Sequence, residues 1–320
     1  MSINLAGIQV NVPLTNVVLM RTNSDDTYIA DKVFKSVPVP TRTGTFYEYG
    51  NNHLQVEDST LGIRGIANKV SSTIANTGVY SVRDYALKEF LADQELSETL
   101  PAFRNILKET TAYGVASRLR VQKEIAAAVI LFNSANFPGF NVALGTSQRF
   151  DNKTSDVLGL IGAACQSVKN NCGLRANTII MGVEVWNALR VHPDLLAKTA
   201  SSNLRNVTQS TLMDFLNYDN LNISNIYVGD GTYKTSKENQ TDTFGQIWGK
   251  NFLVAYIDPN ASTIRNLSLC KNFNLGGNSI NISTFKETPE EKGLFYRAEM
   301  SYDMRIIKPA CGYLYTTAVN

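Results

Sequence analysis

The sequence predicts an α+β fold, with helices clustered in the middle of the chain and strands before and after them. Three observations support this prediction. Apolar residues recur at helical spacing through residues 101–133, further helical patterns with capping residues occupy 154–218, and alternating apolar and polar residues predominate from 223 onward. This order differs from the regular strand–helix alternation of parallel α/β proteins, and no internal repeat is visible.

The composition is that of a globular chain with a weakly charged surface. The 320 residues are 43% hydrophobic and 18% charged, and the net charge is +2. A surface rich in Asn, Ser and Thr can be covered by a neighbouring protein at a modest desolvation cost. The chain lacks a basic block for nucleic-acid binding, a run of 18 apolar residues and a secretory signal pattern. We therefore expect a chain that is neither secreted nor membrane-spanning.

The first 90 residues predict extended chain. Residues 1–32 show no sustained period and predict an N-terminal arm, whereas residues 33–90 alternate apolar with polar residues and predict a long hairpin-like loop. The run 37–40 contains two prolines and is excluded from a central strand, because each proline removes a donor from the ladder. We expect this loop to have few partners in its own chain, so its apolar side chains need covering from outside.

Residues 101–133 carry the longest helical pattern. Pro101 suits a first helical turn, and apolar residues recur as far as Phe132, interleaved with alanines that permit close packing. A helix of this length spans about 45–50 Å, and the run 136–139 ends it. Glu124 lies inside the helix, and a salt bridge is its expected role.

A helix, a short strand and a second helix are predicted over 154–192. Thr154 or Ser155 is expected to cap the first helix, and Gly173 to end it in the left-handed conformation. The run 178–181 predicts a strand. The run 183–190 predicts a helix, which cannot continue through the proline after His192. Thr208 is expected to cap a further short helix. The later predicted strands cover residues 223–228, 246–257, 266–269, 279–284, 294–307 and 313–319.

Motifs for catalysis and for metal or cofactor binding are sparse. His53 lies in a polar loop and His192 in a helix-ending turn, where structural roles are expected. The motifs HExxH, GxSxG, GxxxxGK[ST] and GxGxxG do not occur. The Gly-Asp-Gly run 229–231 favours a tight turn over a phosphate cradle, because no helix begins after it. We therefore predict no catalytic, cofactor-binding or metal-binding residue, and no enzyme.

Cysteines and tryptophans are interpreted as core residues. The chain contains four cysteines: Cys165, Cys172, Cys270 and Cys311. A shared helix places Cys165 and Cys172 roughly 10 Å apart, which is too far for a disulfide, and all four cysteines are expected to be reduced. Trp186 and Trp248 are expected to pack in the core, with contacts between subunits as the alternative.

The order of these segments resembles the major capsid proteins of tailed bacteriophages, whose shell fold is shared with encapsulins. The resemblance rests on the run 155–195, with its helix, Asn-Cys-Gly stop, strand, Trp186 helix and His-Pro turn, and on the long helix before it. The resemblance implies five parts: an N-terminal arm (1–32), an extended β-hairpin loop (33–90), a peripheral domain with a spine helix (91–153), an axial domain (154–290) and C-terminal strands returning to the peripheral domain (291–320).

The resemblance implies a structural function. Many copies of the chain, in hexamers and pentamers, would form the icosahedral shell around a double-stranded DNA genome, in a virion assembled in the host cytoplasm. It implies a separate scaffolding protein, a portal and DNA held by weak non-specific contact, leaves a decoration protein open, and involves no membrane. A covalent cross-link through the loop lysine is not predicted. The candidate residues for contacts between subunits are Phe34, Val39, Arg42, Tyr47, Arg64, Lys69 and Arg83.

Three other interpretations stay open at this point. An encapsulin-like compartment shares the architecture but encloses an enzyme as cargo. An enzyme with an unrecognised site is disfavoured by the lack of histidine clusters and glycine loops. A tail or adhesion module built from the strand-rich C-terminal third would leave the helix at 101–133 unexplained.

Overall fold

The computed structural model describes residues 9–10, 27–49, 56–57, 59–61, 65–70, 74–99, 101, 104–200, 207–237, 239–260, 266–277 and 280–320. Its strands are β1 Gln9–Val10, β2 Ser36–Pro38, β3 Thr43–Tyr49, β4 Ile74–Ser81, β5 Arg83–Ala92, β6 Asn141–Ala143, β7 Thr178–Gly182, β8 Asn225–Gly229, β9 Thr232–Lys234, β10 Phe244–Gln246, β11 Phe252–Ala255, β12 Cys270–Asn274, β13 Asn281–Phe285, β14 Gly293–Ile306 and β15 Gly312–Thr316. Its helices are α1 Ala30–Val33, α2 Asp93–Glu98, α3 Arg104–Leu131, α4 Val157–Cys172, α5 Val183–Arg190, α6 Pro193–Ala200 and α7 Gln209–Tyr218, with 3₁₀ turns at Ser134–Asn136 and Pro309–Cys311.

The strand β14 is the centre of a six-stranded sheet. It pairs with β5 along one edge and with β12 and β13 along the other, always antiparallel. The outer strands are β2, parallel to β12, and β1, antiparallel to β13. Buried and partly exposed residues alternate along β14, which is typical of a sheet with one face on the core. The buried positions are Tyr296, Ala298, Met300, Tyr302 and Met304.

The long helix α3 packs on β14 and β5 and confirms the helix predicted over 101–133. Its 28 residues span about 42 Å. Its buried face includes Ala112, Ala116 and Ala127, each without exposed surface, and such small side chains let a helix approach a sheet closely.

A second, five-stranded sheet has the order β6-β15-β11-β7-β8. Every residue of β7 and β11 is buried, and α4 packs on β11 and β15. The cap predicted for α4 is wrong by one or two residues, because the Asp156 carboxylate accepts a hydrogen bond from the Gly159 N–H at 2.9 Å. The predicted left-handed Gly173 is confirmed, with φ of 77°, and Thr208 caps α7 in a capping box.

Two strand predictions for later elements are wrong, and the start of one further helix was not predicted. The strand predicted over 246–257 is divided, because the chain turns at Gly249, where φ is +55°. Its first part, β10, pairs with β9, and its second part, β11, joins the five-stranded sheet. The strand predicted at 266–269 lies instead at β12, and Pro193 not only stops α5 but also starts α6, where its missing N–H costs nothing.

Much of the loop predicted over 33–90 belongs to the body of its own chain, which corrects the expectation of few internal partners. The strand β2 is an edge strand, which agrees with the exclusion of its proline run from a central strand. The strand β5 pairs with β14 over ten residues, from Arg83 to Ala92. The arm also has an internal partner, because β1 pairs with Ser283 and Thr284 of β13. Within the loop predicted over 33–90, the strands β3 and β4 pair with each other as a hairpin and form a separate two-stranded sheet.

Glu124 joins three parts of the fold, and the salt bridge predicted for it is wrong. Its carboxylate, on α3, accepts hydrogen bonds from the backbone N–H groups of Ile29 (2.7 Å) and Ala30 (3.0 Å) and from the Trp248 indole (2.7 Å). Trp248 is 1% exposed, so it is a core residue as predicted. The neighbouring Lys123 forms the ion pair, with Asp31 at 2.5 Å. Burial raises the pKa of Glu124, although the backbone and indole hydrogen bonds oppose the shift.

Candidate subunit interface

The hairpin of β3 and β4 is held to the body by aromatic rings that cover glycines. Phe46 lies opposite Gly78, and Tyr80 lies opposite Gly44, in the antiparallel register. A Cβ atom on Gly78 would lie 2.0 Å from Phe46 Cζ, so only glycine leaves room for the ring. Both rings stack on Phe273 of β12, with centroid distances of 5.7 and 4.7 Å. One face of the hairpin is therefore packed against its own chain.

Ion pairs reinforce this attachment. Lys308 pairs with Glu48 at 3.1 Å, and both side chains are largely buried. Arg42 pairs with Asp84 at 2.6 Å where the chain enters the hairpin, and Asp84 also accepts a hydrogen bond from the Ser301 hydroxyl at 2.6 Å. The Ser301 hydrogen bond and the Arg42 charge hold the pKa of Asp84 below its usual value, against the effect of burial. These contacts orient the hairpin relative to the body.

The other face of the hairpin carries bare apolar side chains. Tyr47 is 58% exposed and Val79 is 59% exposed. Between β3 and β4, several more apolar residues are open to solvent: Val56, Leu61, Ile66 and Val70. A cluster of exposed apolar residues is typical of a surface that another molecule covers. We call Tyr47, Val79 and these four residues the loop surface.

The structure separates the residues predicted at subunit contacts into three groups. Phe34 has no exposed surface and Val39 is 5% exposed, because the chain's own two hydrophobic clusters cover them. The chain itself thus accounts for the burial of both side chains, and their role as contact residues stays a prediction. Tyr47, Lys69 and Arg83 are exposed. They remain predictions.

The remaining two predicted contact residues are Arg42, which the structure describes, and Arg64, which it does not. Arg42 is about half exposed and forms an ion pair with Asp84 of its own chain, and its role as a contact residue remains a prediction. Arg64 lies outside the described residues. The structure therefore brings Arg42, Tyr47 and Arg83 to the hairpin and its base.

An aromatic cluster on the six-stranded sheet was missed by the sequence analysis. Phe295 of β14 contacts Phe90 of β5 and Phe285 of β13, with centroid distances of 4.9 and 5.7 Å. Lys88 lies 4.6 Å above the Phe295 ring and pairs with Glu287. Phe90 is 42% exposed and alternates with the buried Leu91. The alternation of apolar residues in 83–92 indicates a strand with two different faces. It does not show that this strand pairs with β14.

His192 has a structural role, as predicted. It is 2% exposed, and its Nε2 lies 2.9 Å from the carbonyl oxygen of Asn152 and 3.3 Å from the Ser155 hydroxyl. The Asp194 N–H donates to Nδ1 at 3.4 Å. The imidazole thus ties the turn before α6 to the loop before α4.

The Gly-Asp-Gly run 229–231 connects β8 to β9, but the tight turn predicted there is wrong, because Gly229 is the last residue of β8 and no turn is assigned at residues 230–231. A Cβ atom on Gly229 would lie 2.1 Å from Trp248 Cδ1, so this glycine makes room for the indole. Among the described residues, no group of three His, Cys, Asp or Glu side chains is arranged to hold a metal ion. Nor does any described helix have the length and apolar character needed to cross a bilayer.

Comparisons with known proteins point to viral shells. No family model matches the chain. The chain is 23% identical over 248 residues to the major capsid protein of Burkholderia phage BcepMu, which covers 76% of this chain and 75% of that protein.

Solved structures with a similar fold include a phage-related protein from Bordetella bronchiseptica RB50, with a TM-score of 0.73 at 18% identity over 98% of each chain. The capsid of cyanophage P-SCSP1u gives a TM-score of 0.55 at 11% identity, covering 88% of this chain and 85% of that one. The virus-like particle from Pyrococcus furiosus gives 0.55 at 8% identity, covering 95% and 98%.

Proposed function

We infer that this chain is a major capsid protein of a tailed bacteriophage, and that many copies of it form the shell of the virion. Its fold is that of phage capsid proteins, as the sequence resemblance implied. A relative that matches about three quarters of the chain is itself a phage major capsid protein. The role is structural, and we propose that the chain has no catalytic activity.

The loop surface is the observation that carries the proposal. The hairpin is attached to its own body through Phe46, Tyr80 and the Glu48–Lys308 pair, while Tyr47 and Val79 face away from those contacts. A single subunit thus holds the hairpin in place without covering its apolar residues. Neighbouring subunits would cover them, with each stable contact burying more than about 1,000 Å².

Several partners belong to this proposal. Hexamers and pentamers of the chain would close the shell by symmetry, because many modest contacts make the loss of one subunit costly. A separate scaffolding protein would guide assembly in the host cytoplasm, and a portal would occupy one vertex. The net charge of +2 fits weak, non-specific contact with packaged double-stranded DNA. A decoration protein is left open.

An encapsulin-like compartment is the second candidate, because it shares the shell architecture. The phage capsid relative favours a DNA-containing shell over this candidate. Nuclease-protected DNA inside purified particles is expected for a phage shell. An enzyme inside particles free of DNA would support the compartment instead.

A deletion of the hairpin tip tests the proposed function. Thr45 and Val79 face each other in the ladder, so a two-residue Asn-Gly turn can join them in place of residues 46–78. Lys308→Met is added, because the deletion removes Glu48, which pairs with the largely buried Lys308 ammonium group. The shortened chain is expected to stay folded by circular dichroism and to sediment as a monomer.

A second test variant keeps the hairpin and changes only the loop surface, with Val56, Leu61, Ile66 and Val70 replaced by Ser. It retains the inward contacts of Phe46 and Glu48, and is expected to reduce particle yield while leaving subunit stability unchanged. Normal shells from the shortened chain would contradict the assignment of the loop surface.

A further inference from the structure

The strand β5 forms an open edge of the six-stranded sheet. It pairs with β14 over ten residues in one unbroken register. Among the residues that the structure describes, no strand pairs with the outer edge of β5. A strand of this length spans about 33 Å, and β5 contains neither a proline nor a bulge that would protect its edge. Such an edge is a template for pairing with a further strand.

The ladder between β5 and β14 shows which backbone groups point outward. The Asp93 N–H, directly after β5, donates to the Lys292 carbonyl oxygen at 3.0 Å. Hydrogen-bonded pairs alternate along an antiparallel ladder, so the odd-numbered residues of β5 bond to β14. The even-numbered residues direct their N–H and C=O groups away from β14. Of these, Asp84, Ala86 and Lys88 are exposed.

The hairpin of β3 and β4 leaves this edge open from Asp84 onward. The Val82 N–H, directly before β5, donates to the Arg42 carbonyl oxygen at 2.8 Å, so the edge is occupied only up to that residue. The Tyr80 ring stacks on Phe273 of β12, and β12 pairs with β14 on the side opposite to β5. The hairpin therefore crosses over the sheet and does not run along β5.

The sequence of β5 is complementary to itself when two copies run antiparallel with Ala86 opposite Ala86. In this register Asp84 of each copy lies opposite Lys88 of the other. Arg83 likewise lies opposite Glu89, and the two-fold symmetry produces each pair twice. Opposite charges facing each other on adjacent strands stabilise the pairing. The same register places the outward backbone groups of residues 84, 86 and 88 against one another as hydrogen-bonded pairs.

The neighbouring registers lose this complementarity. Pairing centred on Leu87 places Asp84 opposite Phe90 and Lys88 opposite Ala86, so the charges have no opposite partner. Pairing centred on Lys88 places two ammonium groups opposite each other, which is destabilising. The charges of β5 thus select the register centred on Ala86.

The charged side chains of β5 are open to a second partner. Arg83 is exposed, and no ion pair within the described residues involves it. Asp84, Lys88 and Glu89 form ion pairs within the chain, but each side chain is at least about two-fifths exposed. Exposed pairs contribute little to the stability of a single chain, so they do not prevent contact with another copy.

We propose that β5 of one copy pairs antiparallel with β5 of a second copy about a two-fold axis at Ala86, so that two six-stranded sheets join edge to edge. The proposal deepens the proposed function and rests on it, because it assigns one contact between subunits of the shell. The paired stretch is short, so the contact is weak between two isolated copies. It becomes persistent where the many other contacts of a shell hold the two strands together.

A cysteine at the two-fold axis tests this pairing. Hydrogen-bonded residues of an antiparallel pair have Cα atoms about 5.5 Å apart, which a disulfide can bridge. Ala86→Cys in the full chain, assembled and then oxidised with copper phenanthroline, is expected to give a covalent dimer on a denaturing gel without reducing agent. The four native cysteines are buried and are expected to give no dimer in the unmodified chain.

The matched control is Ala92→Cys, on the same strand and also outward-facing. In the proposed register its two thiols are about 40 Å apart, so no dimer is expected. Alkylation of both variants before oxidation confirms that both thiols are reachable.

Charge substitutions test the register. Arg83→Glu in the Ala86→Cys chain is expected to lower the dimer yield about fivefold, because two symmetric pairs change from attraction to repulsion. Adding Glu89→Arg restores opposite charges and is expected to restore the yield. A yield that does not respond to Arg83→Glu would contradict the register.

The outcomes separate this proposal from the shell function. Particles in which Ala86→Cys gives no dimer, or in which Ala92→Cys gives as much, would overturn the pairing and leave the shell function standing. A dimer of Ala86→Cys in concentrated protein that forms no particles would support the pairing and contradict the shell. Neither particles nor a dimer would overturn both.

Discussion

At the scale of single residues, Glu124 shows how a buried charge organises the fold. The carboxylate is 2% exposed and receives three N–H donors from two distant parts of the chain. The nearest charges on the packed elements are Asp31 on α1, which raises the pKa of Glu124, and Lys123 on α3, which pairs with Asp31. The sequence places Glu124 in a helix, but its donors follow only from tertiary structure.

Replacing Glu124 by Gln tests the three hydrogen bonds. The amide NH₂ would face one of the N–H donors, so the free energy of unfolding is expected to fall by about 1–3 kcal/mol. Urea denaturation measures this change. Glu95→Gln on the exposed helix α2 is the matched control and is expected to change stability little. An equal effect of both substitutions would contradict the role of Glu124.

The difference in unfolding free energy between wild type and Glu124→Gln is expected to change with pH in one direction. Because the pKa of Glu124 is raised in the folded state, the residue's contribution to stability is fully present below its ordinary value of 4.5 and is lost as pH rises through the raised pKa. The stability advantage of wild type over Glu124→Gln is therefore expected to shrink from acid to neutral pH. An advantage that grows with pH, in denaturation series at several pH values, would contradict the raised pKa.

At the scale of elements, helices were predicted better than strand partners. The period of α3, the glycine stop of α4 and the capping box of α7 depend on residues near in sequence. The pairing of β5 with β14 joins residues about two hundred positions apart, and the division of 246–257 depends on a turn at Gly249. For the same reason the burial of Phe34 and Val39 by their own chain was not predicted, since local pattern cannot show which residues cover an apolar side chain.

Gly182, between β7 and α5, is expected to be intolerant of a side chain. A Cβ atom there would lie 2.0 Å from the backbone oxygen of Gly249, which cannot move aside as a flexible side chain can. Gly182→Ala is expected to lower the free energy of unfolding by about 1–3 kcal/mol. Gly145→Ala, with nothing within 4 Å of the added atom, is the control for thermal denaturation. Unchanged stability of Gly182→Ala would show that the close approach is absent.

The Glu48–Lys308 pair is expected to anchor the hairpin with measurable coupling. Both side chains are mostly buried, so removing one takes a close opposite charge away from the other. Each of Glu48→Gln and Lys308→Met is expected to cost about 3–5 kcal/mol, and the double variant less than the sum. The exposed Arg42–Asp84 pair is the control cycle, with coupling below about 1 kcal/mol. Similar coupling in the two cycles would refute the anchoring role.

At the scale of the whole molecule, the fold class and the shell function were predicted from the order of segments, and comparisons support both. The extent of the loop was not predicted, because β2 and β5 look like loop in sequence and yet complete the sheet under α3. What remains outside the body is the hairpin of β3 and β4, with Tyr47 and Val79 bare. The chain thus consists of a packed body and a hairpin, one face of which carries exposed apolar side chains.

Electron cryo-microscopy of particles formed by this chain tests that description most directly. The expected map has Tyr47, Val79 and the residues between β3 and β4 buried on an adjacent copy, with the inward contacts of Phe46 and Glu48 retained within the subunit. A shell in which these side chains face solvent while subunits meet through other surfaces would contradict the account.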